Sequence, residues 1–342
     1  MLTHPKLTLV ALLATLNLAQ VQAKESIAKG EIQKQTYDFK EASREMEYYL
    51  YVPRSYEKST SAPLIVLLHG LGSKPKDVIR YAGITSEAEE HGYIVVAPYG
   101  YNSRGWYGSQ GEGRGFIRPN SADPDNLGEL SEKDVLNVLG IIQEEFSIDE
   151  NRIYLMGHSM GGGGTIHIGT TYPEIWAGLA PLAPAIMSGR NKADVLKKHK
   201  IAVMLVTGDK DRLIPVAGVR RYIETLKAEG VTHIYKEIKD GNHGASIANN
   251  PEMIGEVFDF FNQHSKSSKP GSADDASYGE GFREFSNKMG KKITARILSV
   301  AGNKVTIIRE GGGQFTIPIT ALSEEDERFI DEWKRANPNR VQ

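Results

Sequence analysis

Four uninterrupted apolar runs constrain this chain most: Leu64-Ile-Val-Leu-Leu68, Tyr93-Ile-Val-Val-Ala97, Ile153-Tyr-Leu-Met156 and Ile201-Ala-Val-Met-Leu-Val206. A strand with one wet face alternates apolar and polar residues, whereas a continuously apolar strand must be covered on both faces. Stretches with helical spacing lie between the runs. One opens at Ser131, with Asp134 three residues on as a capping-box variant, and continues through Val135, Leu136, Val138, Leu139 and Ile142. Another runs from Val219 to Glu229 and stops at Gly230. Arg44 to Val52 alternates like a half-exposed strand, and His233 to Ile238 reads as a further strand. Buried strands joined by helices predict an α/β fold, a mostly parallel sheet covered by helices.

Four segments follow from composition. Residues 1–23 combine a short basic start, an apolar stretch from Leu7 to Ala19 and a small-residue site at Val21-Gln22-Ala23. That pattern is a signal peptide, too short for a membrane span, so we expect export to the periplasm or the extracellular space and no stable membrane insertion. Residues 24–263 hold the α/β pattern. Residues 264–279, rich in Ser, Lys, Pro, Gly and Asp, read as a linker. Residues 280–342 contain short strands at Ile293 to Val300, Lys304 to Arg309 and Gln314 to Ile319, then a helix capped by Ser323 and Asp326. So many short strands in so small a module predict a β-barrel. The formal net charge of −2 removes the argument for nucleic-acid binding, and the absence of cysteine excludes disulfides, a thiol nucleophile and thiolate metal sites. No phosphate loop or metal-ligand spacing is present, so no cofactor and no metal are expected.

Gly157-His158-Ser159-Met160-Gly161 matches G-x-S-x-G, led in by a buried strand and followed by a Gly-rich helix start. That strand–turn–helix setting is a nucleophile elbow, with Ser159 exposed on a strained turn. A serine hydroxyl needs a base, and the base needs an orienting acid. In this topology acid and base follow the serine, each after a later strand. After Val206 come Asp209 and Asp211, of which Asp211 fits the spacing G-x-x-D-x-x-x-P and is preferred. After Ile238 comes His243, in the turn where the base belongs. The oxyanion needs two backbone donors. Met160, just after the serine, supplies one, and Leu71 in His69-Gly70-Leu71-Gly72 supplies the other. The long loop from Tyr101 to Glu129 carries Trp106, a candidate wall of the substrate site. Asp123 and Asp125 in that loop read as solvated acids rather than calcium ligands.

L-L-H-G-L-G, G-H-S-M-G-G-G-G-T, T-G-D-K-D-R-L-I-P and G-N-H-G resemble the α/β-hydrolase serine esterases. The branch they resemble contains feruloyl and acetyl-xylan esterases, poly(3-hydroxybutyrate) depolymerases and dienelactone-hydrolase-like enzymes. The resemblance spans Tyr48 to Phe261. It implies Ser159 as nucleophile, Asp211 and His243 as its partners, and Leu71 and Met160 as oxyanion donors. It departs where relatives carry cysteine after His-Gly. Arg283-Glu-Phe to Ser323-Glu-Glu-Asp resembles an SH3-like Sla-homology module.

The sequence therefore predicts an exported serine hydrolase of carboxylic esters, its substrate an ester on a polysaccharide or a polyester. Two alternatives stand beside it: a prolyl-oligopeptidase-like peptidase, for which the stretch from Lys24 to His69 leaves no gating propeller, and a non-catalytic binding protein on the same scaffold. Lys288, Lys291, Lys292, Arg296, Lys304 and Arg309 give the small module a basic stretch that could contact an anionic polymer, or could simply protect strand edges.

Overall fold

The computed structural model describes residues 27–117, 119–187, 192–266, 283–288, 290–309 and 314–337. The expected signal peptide, and the linker from residue 267 onward, lie outside the described residues.

The larger unit is an eight-stranded sheet with order β1-β2-β4-β3-β5-β6-β7-β8. Its strands are β1 (Ile32–Phe39), β2 (Arg44–Tyr51), β3 (Ala62–Leu68), β4 (Ile94–Pro98), β5 (Ile148–His158), β6 (Gly178–Leu182), β7 (Ala202–Gly208) and β8 (His233–Ile238). β1 and β2 pair antiparallel, β2 joins β4 antiparallel, and the remaining pairs are parallel. This is the covered, mostly parallel sheet that the apolar runs predict. The helices between and after the strands are α1 (Pro75–Val78), α2 (Ile84–His91), α3 (Leu127–Glu145), α4 (Met160–Thr171), α5 (Ala193–Lys198), α6 (Val216–Ala228), α7 (Ala245–Ala248) and α8 (Pro251–Asn262). Along β3, Leu64, Val66 and Leu68 face one core with Val135, Val138 and Ile142 of α3 and Leu226 of α6. Ile65 and Leu67 face the other, with Ile84 of α2 and Phe258 and Phe261 of α8. Side chains alternate across a strand, so apolar residues at successive positions bury both faces.

Ser131 and Asp134 do not cap a helix start, because α3 begins one turn earlier, at Leu127. Both are buried within the helix and hold other segments. The Ser131 hydroxyl accepts the Tyr107 N–H (3.0 Å), and the Asp134 carboxylate accepts the Tyr37 hydroxyl (2.5 Å) and the Gly100 N–H (2.6 Å). α6 starts at Val216, directly after Pro215, and the chain reverses at Gly230 in the left-handed region (φ +68°). Beyond α8 the chain stays tied to the sheet: the Tyr154 hydroxyl donates to the His264 carbonyl, and the Lys266 N–H to that of Asn151.

The smaller unit is a four-stranded antiparallel sheet, β9 (Arg283–Ser286), β10 (Lys292–Ala301), β11 (Lys304–Arg309) and β12 (Gln314–Pro318), in the order β12-β11-β10-β9. Helix α9 (Glu324–Ala336) packs Ile330 and Trp333 against Phe285, Ile297, Val300 and Val305. The cap is as expected: the Ser323 hydroxyl accepts the Asp326 N–H. The described residues form an open meander with a helix on one face. Lys288 and Lys292 of the basic stretch lie against Glu327 (3.3 Å) and Glu284 (2.6 Å).

Candidate active site

The carboxyl ends of β3, β5, β6, β7 and β8 meet where the strand order reverses between β4 and β5, the place where such sheets bind ligands. β5 turns sharply into α4 at Ser159, whose φ of 59° and ψ of −112° are strained for a side-chain-bearing residue. Small neighbours permit the turn. A Cβ at Gly157 would lie 2.4 Å from the Gly161 carbonyl oxygen, and one at Gly161 would lie 2.3 Å from that of Leu68 in β3. The Ser159 backbone is held on both sides, its N–H donating to Leu182 and its carbonyl accepting from Gly163 and Ala185.

Ser159 Oγ lies 2.7 Å from His243 Nε2, and His243 Nδ1 lies 2.6 Å from Asp211 Oδ2. The other Asp211 oxygen accepts the N–H groups of Leu213 and Ile214, each at 2.8 Å. The ionised carboxylate only accepts, so the proton between it and the imidazole sits on Nδ1. Nε2 is then the lone-pair nitrogen, and the Ser159 hydroxyl donates to it. The Asp211 carboxylate is fully enclosed. The Asp and His loops touch because Gly208, at the end of β7, packs on the loop after β8. A Cβ there would lie 2.2 Å from the Gly241 carbonyl oxygen. Of the two acids, Asp211 reaches the imidazole, and the Asp209 N–H closes the β7 end by donating to the Ile238 carbonyl.

The loop after β3 runs beside the serine: a Cβ at Gly70 would lie 3.5 Å from Ser159 Cβ. Leu71 lines the cleft and Met160 opens α4. Neither backbone N–H donates to an acceptor among the described residues. Two free N–H groups flanking a hydroxyl can receive a carbonyl oxygen that gains charge.

Three residues around this centre were not singled out by sequence. His158 is buried, with Nε2 2.8 Å from the His243 carbonyl oxygen and Nδ1 2.8 Å from the Tyr81 hydroxyl. A carbonyl only accepts, so Nε2 carries the proton and Nδ1 accepts from Tyr81. Burial pushes the His158 pKa down to about 4, which keeps the ring neutral beside the His243 ring, 5.1 Å away. The buried Tyr107 hydroxyl accepts the His69 N–H (3.1 Å) and so holds the root of the Leu71 loop. No motif marks Tyr81 or Tyr107. For His158, its place inside G-x-S-x-G was the available signal.

The cleft above Ser159 and His243 has a volume of about 810 Å³. Its walls are mostly apolar, with Leu71, Trp106, Ile117, Met187, Leu213 and Ile214 among them. Trp106 lies on the cleft wall and is itself almost wholly buried in its loop. Asp123 is clasped by Arg104 through two contacts of 2.6 Å, and Asp125 by Arg114 at 2.7 Å. Among the described residues no group of side chains could hold a metal ion.

This sheet order, elbow and strand-end site define an α/β hydrolase. The Esterase family model matches residues 40–245, more than half of the chain, and the chain belongs to that family. S-formylglutathione hydrolase of Rattus norvegicus is 32% identical over 146 residues, 41% of this chain and 51% of that protein. Feruloyl esterase B of Thermothelomyces thermophilus is 25% identical over 155 residues, 44% of this chain and 47% of that protein. The chain spans about half the length of the curated relatives it matches. Among solved structures, S-formylglutathione hydrolase of Staphylococcus aureus superposes with a TM-score of 0.54 at 17% identity, over 69% of this chain and 98% of that one. The CE1 ferulic acid esterase of Anaeromyces mucronatus superposes with a TM-score of 0.52 at 19% identity, over 70% and 92%. These likenesses show the fold.

Proposed function

We propose that this protein hydrolyses carboxylic esters with Ser159 as nucleophile, His243 as base and Asp211 as its orienting acid. The observation that carries the reading is the hydrogen-bonded chain from Ser159 Oγ through His243 to the enclosed Asp211 carboxylate, opening on an apolar cleft. Ser159 Oγ attacks the acyl carbon while His243 Nε2 takes its proton. Asp211 holds the proton on Nδ1 and stabilises the imidazolium. The backbone N–H groups of Leu71 and Met160 receive the developing oxyanion. His243 then gives its proton to the leaving alcohol, and water releases the acyl group by the same steps.

Esters of aromatic or acyl groups carried on a polysaccharide or polyester suit a cleft this size with apolar walls, and one matched relative is named feruloyl esterase B. Export after loss of residues 1–23 and an SH3-like character for residues 280–342 belong to the same proposal, and both rest on the sequence pattern. The test is labelling with a fluorophosphonate probe, followed by a panel of aryl esters, feruloylated and acetylated xylan and a peptide. Ser159→Ala should abolish labelling and lower ester turnover by several orders of magnitude. Labelling at another residue, or hydrolysis of the peptide in preference to every ester, would overturn the assignment.

A further inference from the structure

We infer that the cleft carries a carboxylate-binding subsite at Arg221, so that the esters it favours are negatively charged on the part that lies along α6. The inference rests on the esterase reading of the cleft and adds to it a class of substrate.

Among the described residues Arg221 is the one permanently charged side chain in the cleft wall, and no carboxylate among them lines that wall. The neighbouring arginine shows what an ordinary surface arginine does here. Arg220 makes two parallel contacts of 2.7 Å to the two oxygens of Glu237 in β8. Arg221, next in the chain and turned by one helical step, has no ion pair among the described residues. Its guanidinium leans back over the first turn of α6: a Cβ at Gly218 would lie 3.8 Å from Arg221 Nη2. Helical side chains tilt toward the helix start, which is why a residue in the second turn reaches the wall formed by the first. Ala217 and Gly218 of that first turn also line the cleft. No side chain caps α6 at Pro215, so the positive end of the helix adds to the guanidinium on the same wall.

Exposed apolar side chains share the cleft with this charge. Leu213 is 71% exposed and Ile117 37%, and both line the cleft, with Phe116 (70%) beside Ile117. A ligand covering them would exclude water from Arg221 and strengthen its attraction for an anion. The guanidinium fork matches a carboxylate in two parallel hydrogen bonds. The combination selects a substrate with an apolar body and a carboxylate at one end.

The test compares matched esters on the full chain. One pair places the charge on the acyl side: the 4-nitrophenyl monoester of succinate against 4-nitrophenyl butanoate. The other places it on the alcohol side: 4-acetoxybenzoate against its neutral 4-acetoxybenzamide. The readout is the ratio of kcat/KM for the charged over the neutral member. In one of the two pairs Arg221→Gln should lower that ratio about two- to fivefold, the scale of one exposed charge contact. Arg221→Glu should lower it further, and raised salt should shrink the wild-type ratio toward that of the variant. The pair that responds tells which side of the ester faces α6. Calorimetric titration with unreactive amides, N-phenylsuccinamate against N-phenylbutanamide for the acyl side and 4-acetamidobenzoate against 4-acetamidobenzamide for the alcohol side, reads the same preference without turnover. Ratios equal in wild type and both variants, together with equal amide affinities, would overturn the subsite. Failure of the wild type to hydrolyse any of these esters would instead overturn the esterase reading, and the amide titrations would still decide Arg221.

Discussion

His158→Gln isolates one titrating group next to the site. In the folded protein the ring donates from Nε2 to the His243 carbonyl and accepts at Nδ1 from Tyr81. A second proton has no acceptor there, and burial depresses the pKa from 6.5 to about 4. The unfolded chain therefore binds more protons between these two values. Stability is complete above about pH 6.5 and is lost as pH falls toward about 4, by about 3 kcal/mol at 1.36 kcal/mol per pKa unit. Glutamine offers an amide NH2 to the His243 carbonyl and an oxygen to the Tyr81 hydroxyl, the same two partners without the titration. Urea unfolding near pH 7 and near pH 4 measures the difference. The wild type should lose about 3 kcal/mol more than the variant across that interval. Asp134 titrates in an overlapping range with the opposite sign, since burial raises its carboxyl to about 6 and favours the folded state in acid. It is present in both proteins and cancels in the comparison. Parallel pH dependences in wild type and variant would refute the assigned protonation of His158.

Asp211→Asn should lower kcat on an aryl ester by about ten-thousandfold, the scale seen when a triad acid loses its charge, while Asp209→Asn should lower it less than about tenfold. Steady-state kinetics on the two folded variants checks the order. Gly208→Ala places a Cβ 2.2 Å from the Gly241 carbonyl oxygen and should cost about 2–3 kcal/mol, read by thermal unfolding. Ser159→Gly should be about 1 kcal/mol more stable than Ser159→Ala, because only glycine adopts the elbow's φ of 59° and ψ of −112° without strain.

Elements with strong local patterns were legible in the sequence. β3, β4 and β7 lie within a few residues of their apolar runs, and α9 begins at its Ser323 cap. Two strands of the larger sheet were not seen. β6 reads Gly-Leu-Ala-Pro-Leu, and its Gly178 and Pro181 hide a central strand whose every residue is buried. β1 is a polar edge strand, Ile-Gln-Lys-Gln-Thr-Tyr-Asp-Phe, ordered by pairing along its whole length with β2. In both cases the strand is specified by neighbours distant in sequence, which tertiary pairing can impose over weak propensity. Ser131 and Asp134 show the converse: a sound local capping pattern was outweighed by contacts to Tyr107, Gly100 and Tyr37.

The same contrast holds at the site. Ser159, Asp211 and His243 could be named because each follows a recognisable strand, and Asp211 Oδ2 and Ser159 Oγ meet the two nitrogens of His243. Their supports could not, since Tyr81 and His158 are 77 residues apart and Tyr107 and His69 are 38 apart. The loop from Tyr101 to Glu129 carries part of that support. Its start is fixed by Asp134 through the N–H groups of Gly100 and Tyr101. From that anchor Ser103 accepts the Gly72 N–H, and Tyr107 holds His69, so the Leu71 loop is gripped on both sides of its free N–H. In the proposed mechanism an oxyanion donor is useful only if it is in place before charge develops, and that rigidity would come from the loop rather than from the Leu71 side chain. On the proposed mechanism, the loop that supplies Trp106 to the cleft wall would therefore also set the geometry at the acyl carbon, coupling the shape of the cleft to the chemistry beside it.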